Sequence, residues 1–500
     1  MTDDSSPVQN DDKAAAKPDH EPPPPASMEA VWPGPDGDLP YTATGSWMVL
    51  RKNETPAAEI FSVSYLATTD RDRPVTFVFN GGPGASSAYL HVGTVGPRRI
   101  DFPADGTPPA APFRLVDNAE SWLGFTDLVL IDPVGTGFSR VIESDKKGDD
   151  KPKDAAEADE FYGLDRDLQS MGEFISRWLS KNDRWASPIF IAGESYGGFR
   201  AAKMAKVLQH DSGVGVSGTI LISPALEFQL LSSTDYDVLA WVDRLPTMAL
   251  AAAFHGRSRA FGSADDPVDI RAAAEEFATG DYTTFLVRGA SMDAADRTAV
   301  LDRLGDLLGL SPEVVARNEG RIAVLTFTRE LLRDEKKVLG LYDTAITATD
   351  PFPDREPFSG PDPTLAGYGP AFTAAANTLL RKEIGVDSER DYRLLSYEVN
   401  NAWKIDTPRH ALEGQVGATD DFRYGMSLNP HMKAFICHGV YDLATPYFGS
   451  DRLVNLMRLD PTVAERITSE HFGGGHMFYA WEESRIAFRD AIRDFVQSAT

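Results

Sequence analysis

"IFIAGESYGG", Ile189 to Gly198, is an apolar run that leads into a serine with a glycine two residues away on either side. "SPIFIAG", which leads into Gly193-Glu194-Ser195-Tyr196-Gly197, reads as a buried strand, and "GFRAAKMAKVLQH" after it has the spacing of a helix. A serine on a tight strand-to-helix turn, with glycines on both sides, is the arrangement of a nucleophile elbow. The glycines let the backbone pass where a Cβ would collide.

Outward from this stretch the chain alternates strands and helices. "GSWMVLRK", "EIFSVSYLATT", "VTFVFN", "DLVLIDP" and "GTILISP" are short, apolar or alternating, and bounded by turn residues. The central ones carry no charge in their middle, as expected for a mostly parallel sheet covered on both faces. In "FYGLDRDLQSMGEFISRWLSKN", Leu164, Leu168, Met171, Ile175, Trp178 and Leu179 make one apolar stripe, which predicts a helix facing that sheet. After Pro224 the strand rhythm stops for about two hundred residues, too long for a loop. Stretches such as "MDAADRTAVLDRLGDLLG" and the N-cap pair Ser311-Pro312 predict a mainly helical insertion there. Strands resume at "MKAFICHG" and "RITSEHF", and "SRIAFRDAIRDFVQS" closes the chain as an amphipathic helix. The predicted organisation is a disordered acidic, Pro-rich tail over 1–40, a sheet core over 41–224, a helical cap over 225–429 and a second part of the core over 430–500.

Composition narrows the function. A net charge of −26 over 500 residues, with no basic runs, disfavours a nucleic-acid partner. No segment has the uncharged length of a membrane span, and the first thirty residues hold no apolar block of signal-peptide length. The single cysteine, Cys437, excludes an intrachain disulfide and reads as a buried strand residue. A cytoplasmic protein is the expectation, of undetermined oligomeric state.

Ser195 needs a base to take its proton and a carboxylate to orient that base. In this type of sheet the acid follows the next-to-last strand and the histidine follows the last. Asp442 in "CHGVYDLATP" and His476 in "HFGGGHMFY" stand at those places. Asp442 also fits a turn cap, and His438 and His471 are rival bases. No histidine pair has metal-ligand spacing, so neither metal nor cofactor is expected. "NGGPG", Asn80 to Gly84, has neither the lysine of a phosphate loop nor the spacing of a dinucleotide loop. It follows an early strand, where an α/β-hydrolase places one oxyanion-hole amide. The hole is assigned to the backbone N–H groups of Gly82 and Tyr196.

Together "NGGPGASS", "DPVGTGFS", "GESYGG", "YDLATP" and "GGGHM" resemble the serine carboxypeptidase family, and most closely its bacterial branch. The resemblance covers about half of the chain, both parts of the core. It implies an α/β-hydrolase fold with a helical cap, a peptide substrate, and release of the C-terminal residue through an acyl-enzyme. By position it implies Ser195 as nucleophile, His476 as general base and acid, and Asp442 as its partner. Asn80 and Glu194 match residues that bind the substrate's terminal carboxylate. Thr94 stands where relatives carry a second acid, which weakens a proton-sharing clamp and the acidic pH optimum it would give. Val78 replaces a frequent tryptophan and Ala85 a cysteine, while Gly135 and Gly137 are expected in the pocket floor. An esterase or acyltransferase with the same triad is the alternative, and a non-catalytic binding module on the same scaffold the third reading.

Overall fold

The computed structural model describes residues 20–69, 72–142, 160–356, 360–405 and 416–500. Among these, ten strands form one sheet. Its members in chain order are β1 (Ala26–Gly34), β2 (Gly37–Lys52), β3 (Thr55–Ala67), β4 (Val75–Phe79), β5 (Asp127–Ile131), β6 (Ile189–Glu194), β7 (Gly218–Ile222), β8 (Lys433–Gly439) and β9 (Ile467–Phe472), with the short Arg140–Val141 pairing to β3. The spatial order is β1-β2-β3-β5-β4-β6-β7-β8-β9. From β5 to β9 every pairing is parallel, while β1, β2 and β3 join antiparallel at one edge.

The strand alternation explains the two cores. Val78, Leu128, Leu130, Ala192, Ile220 and Phe435 point to one face, and Phe77, Val129, Ile131, Ile191, Leu221 and Ile436 to the other. The second face is covered by α1 (Leu164–Asn182) and α2 (Tyr196–His210). All six residues of the predicted stripe on α1 are buried there. The first face is covered by the final helix, Glu482–Ser498, and by Pro363–Asn377 from the insertion. This is the mostly parallel, helix-covered α/β-hydrolase architecture.

Two boundaries differ from the sequence reading. Residues 26–40 are not a disordered tail: β1 pairs with β2 along its length, from Ala26 opposite Gly45 to Gly34 opposite Gly37. Trp32 anchors it, buried, with its indole N–H on the Asn118 carbonyl at 2.7 Å. One aromatic anchor and an open sheet edge outweigh a Pro- and Asp-rich average, because pairing supplies what the segment's own composition lacks. Residues 1–19 of that predicted tail lie outside the described residues. The insertion is also not one cap. Helices Leu245–Phe254, Pro267–Phe277 and Ala294–Leu308 build a separate core with Trp241, Phe327 and Leu339. From Pro363 onward the insertion packs its apolar residues onto the sheet's two faces instead. No helix among the described residues is long and apolar enough to cross a membrane.

Candidate active site

Ser195 sits where β6 stops, at φ 63° and ψ −124°, a conformation that side chains other than glycine's rarely adopt. Close packing forces this turn. A Cβ on Gly193 would lie 2.0 Å from the Gly197 carbonyl oxygen, and one on Gly197 would lie 2.8 Å from the Phe79 oxygen. Only a bare backbone lets α2 start this close to β4 and β6. The Gly-rich loop meets the elbow in the same way: a Cβ on Gly81 would stand 2.5 Å from the Tyr196 nitrogen. Gly82, at φ +102°, lines the same cavity as Ser195. The loop and the N-terminal end of α2 thereby meet at Gly81, one residue before Gly82, with the positive end of the helix dipole beside them.

The ends of β8 and β9 carry the other two groups. His476 Nδ1 is 2.7 Å from Asp442 Oδ2, and both side chains are buried. Asp442 Oδ1 accepts the backbone N–H groups of Ala444 at 2.8 Å and Thr445 at 3.0 Å. An Asp442 so engaged holds Nδ1 protonated and leaves Nε2 of His476 as the available base. Burial alone disfavours the imidazolium, but Asp442's charge and hydrogen bond outweigh it and leave the His476 pKa raised above 6.5. The backbone N–H of His476 donates to the Tyr342 carbonyl at 2.5 Å, and the Tyr342 ring meets the imidazole edge-on at 5.2 Å. His476, Ser195, Gly81, Gly82, Asn80 and Glu194 line one cavity.

Asn80 and Glu194 meet inside it. Asn80 Nδ2 donates to Glu194 Oε2 at 2.5 Å, and the Tyr479 hydroxyl donates to the same carboxyl at 3.0 and 3.2 Å. Burial pushes Glu194 up to about 7, against the pull of His476, Tyr479 and Asn80. Near neutral pH this carboxyl therefore carries a proton a large part of the time. Beneath it, Arg200 forks onto Asp167 at 2.9 and 3.1 Å and donates to the Asn80 carbonyl at 2.9 Å, tying α1, α2 and the Gly-rich loop together.

The rival residues lie elsewhere. His438 is pushed down to about 4 by burial, and its Nδ1–H donates to the Thr445 carbonyl at 3.2 Å. His471 pairs with Asp451 at 2.9 Å, and neither histidine lines the cavity. Cys437 is fully buried in β8, and burial drives its thiol pKa well up. Thr94 is buried outside the cavity wall with its hydroxyl unpartnered, and Val78 lies in the sheet core. Gly135 and Gly137 do not form the pocket floor. A Cβ on Gly137 would strike Asp132 Oδ2 at 1.7 Å and one on Gly135 would strike Val399 at 2.6 Å, so these glycines serve close chain crossing behind the site. Sequence reasoning missed Thr445, Tyr342, Tyr479 and the Arg200–Asp167 pair. Among the described residues no cluster of three or more His, Cys, Asp or Glu side chains could hold a metal ion.

A protein-family model described as serine carboxypeptidase matches residues 49–221. Over this region the chain is similar to the serine carboxypeptidase family. Serine carboxypeptidase-like 36 of Arabidopsis thaliana is 26% identical over 211 residues, 41% of this chain and 39% of that protein. Pheromone-processing carboxypeptidase KEX1 of Leptosphaeria maculans is 33% identical over 141 residues, 28% of this chain and 18% of that protein. The chain spans less than half the length of the serine carboxypeptidase relatives it matches. These relatives are plant and fungal and lend no support to the bacterial branch. The crystal structure of Kex1(delta)p, a prohormone-processing carboxypeptidase from Saccharomyces cerevisiae, superimposes with a TM-score of 0.55 over 91% of both chains at 16% identity, a likeness of fold.

Proposed function

We propose that this protein is a serine-type carboxypeptidase that removes the C-terminal residue of peptides. The observation that carries the reading is the carboxyl of Glu194, held by Asn80 and Tyr479 in the cavity that Ser195 and His476 also line. A buried acid that binds its proton near neutral pH can share it with a second carboxylate, which a substrate without a free carboxylate, such as a simple aryl ester, would not supply. In the reaction, Ser195 Oγ attacks the carbonyl of the last peptide bond while His476 Nε2 takes its proton. The oxyanion rests on the Gly82 and Tyr196 amides. The tetrahedral adduct expels the terminal amino acid, whose amine receives that proton from His476. Water, deprotonated by the same nitrogen, then cleaves the acyl-enzyme ester and restores Ser195. A cytoplasmic location is part of the proposal and is supported by a lone, buried cysteine.

The test is release of the C-terminal amino acid from an N-blocked dipeptide between about pH 4.5 and 8, for the intact protein and for Ser195→Ala. Release that vanishes in the variant is expected. Cleavage of an aryl ester without any peptide cleavage would overturn the peptidase in favour of the esterase or acyltransferase reading.

A further inference from the structure

The position of the carboxylate-binding pair fixes where the released residue's side chain must lie. Carboxylate and side chain hang from the same Cα, so a residue whose carboxylate rests on Asn80 and Glu194 projects its side chain into the space around them. That space is walled by Ala85, Tyr89, Tyr342, Leu365, Leu395 and Met477. Four of these are apolar and two are phenols. Tyr342, Leu365 and Leu395 come from the insertion, and Leu395 stands opposite Ala85 in a β-bridge whose hydrogen bonds run from Ser86 N–H to the Leu394 carbonyl and from Ser396 N–H to the Gly84 carbonyl.

Glu194 is the one carboxyl in this wall, and on the proposed reading it is taken up by the substrate's own carboxylate, with Asn80 and Tyr479 on its oxygens. No second carboxyl lines the space to meet a side-chain cation. The nearby acids are committed as well. Asp362 accepts the backbone N–H groups of Leu341 at 2.5 Å and Leu365 at 2.9 Å, and Asp343 accepts the Trp481 indole at 3.2 Å and the Ala345 amide at 2.9 Å. An ammonium or guanidinium brought here loses its water and finds no counter-charge, whereas an aliphatic or aromatic side chain gains by burial.

We propose that this pocket selects peptides ending in an apolar residue such as leucine, methionine or phenylalanine, and rejects those ending in lysine, arginine or aspartate. The proposal rests on the reading of Asn80 and Glu194 as the carboxylate site. It sets this chain apart from an exopeptidase that trims basic residues, whose pocket must offer a carboxylate free to meet the cation.

The experiment compares N-blocked dipeptides ending in Leu, Phe, Lys and Asp, using the full chain. The kcat/KM for Leu or Phe is expected to exceed that for Lys by about a hundredfold, the scale on which an uncompensated charge is rejected. Equal rates, or preference for Lys, would overturn the proposal. Leu395→Asp supplies the missing carboxylate and should shift the Lys-to-Leu ratio upward at least about tenfold; an unchanged ratio in the folded variant would also count against it. A second readout needs no turnover: the same peptides should slow fluorophosphonate labelling of Ser195, the Leu-ended one at a lower concentration than the Lys-ended one. Selective protection without cleavage would uphold the pocket and sink the peptidase, and protection without selectivity would sink the pocket.

Discussion

Thr445 Oγ1 lies 2.7 Å from Asp442 Oδ2, and the same hydroxyl is 3.1 Å from His476 Nδ1 and 3.0 Å from the Ser223 carbonyl. Asp442 Oδ2 is thus shared between the imidazole it orients and a hydroxyl three residues along its own loop. The Ser223 carbonyl ends the strand beside the elbow, so Thr445 ties the acid loop to the nucleophile's neighbour. Thr445→Val keeps the shape and removes the bond to a charged oxygen, worth about 1.5–3 kcal/mol. The expected result is a fall in kcat of about tenfold or more with KM little changed, and recovery in Thr445→Ser. A KM effect of equal size, or no rescue by serine, would assign Thr445 to packing alone.

Glu194 gives the protein a pH dependence whose sign can be worked out. Its folded pKa of about 7 lies above the ordinary 4.5, so between those values the folded state binds more protons than the unfolded one. Stability therefore falls as pH rises through that window, by an amount on the order of 3 kcal/mol once both states are ionised. Glu194→Gln should flatten this slope. Urea midpoints at pH 5 and pH 8 read it, provided the variant is compared with wild type, because Asp343 and Asp132 are raised by burial too and act in the same direction. For activity, the peptide KM should climb above about pH 7 as Glu194 loses its proton, while an aryl ester should show only the fall at low pH that protonation of His476 causes. Identical profiles for peptide and ester would remove Glu194 from carboxylate binding.

Legibility followed the distance over which each constraint acts. The elbow is local: a buried strand, bare residues and a helix are contiguous from Ile189 to His210, so the pattern names Ser195 without knowledge of the rest. Asp442 and His476 could be found because each follows a strand with its own period-two signal. Tyr479 and Arg200 gave no such signal. They act across contacts with Glu194 and Asn80 that are 285 and 120 residues away in the chain, and nothing in their own surroundings marks them. The insertion was misread for a related reason. Helical spacing reveals an apolar face but not whether that face meets its own helices, as around Leu304, or the distant sheet, as at Phe372.

Thr94 tests how far a family position can be carried over. The resemblance to serine carboxypeptidases puts it where relatives carry a second acid, yet its hydroxyl is buried and unpartnered, and its side chain does not line the cavity. A buried hydroxyl without a partner costs free energy that an isosteric methyl does not, about 1 kcal/mol or more. Thr94→Val should therefore be as stable as wild type or more so, with its pH profile for peptide release unchanged. A shifted KM profile in this variant would return Thr94 to the carboxylate site.

Ser195 makes the last prediction, since its backbone angles of 63° and −124° are strained for any residue with a Cβ. Two effects oppose each other when glycine is placed there. Relief of strain favours the folded state by about 1–3 kcal/mol, while glycine's looser unfolded chain favours the unfolded state by about 0.5–1 kcal/mol. The serine hydroxyl caps no helix amide, so its loss adds nothing. Ser195→Gly should accordingly be more stable than Ser195→Ala by about 1 kcal/mol, with both inactive. Alanine shares the strain and lacks the hydroxyl, which makes the pair a measure of backbone strain alone. A glycine variant less stable than the alanine one, by urea midpoint at one pH, would mean that the elbow stores little strain and that its geometry is imposed by the Gly193 and Gly197 contacts at no cost to Ser195.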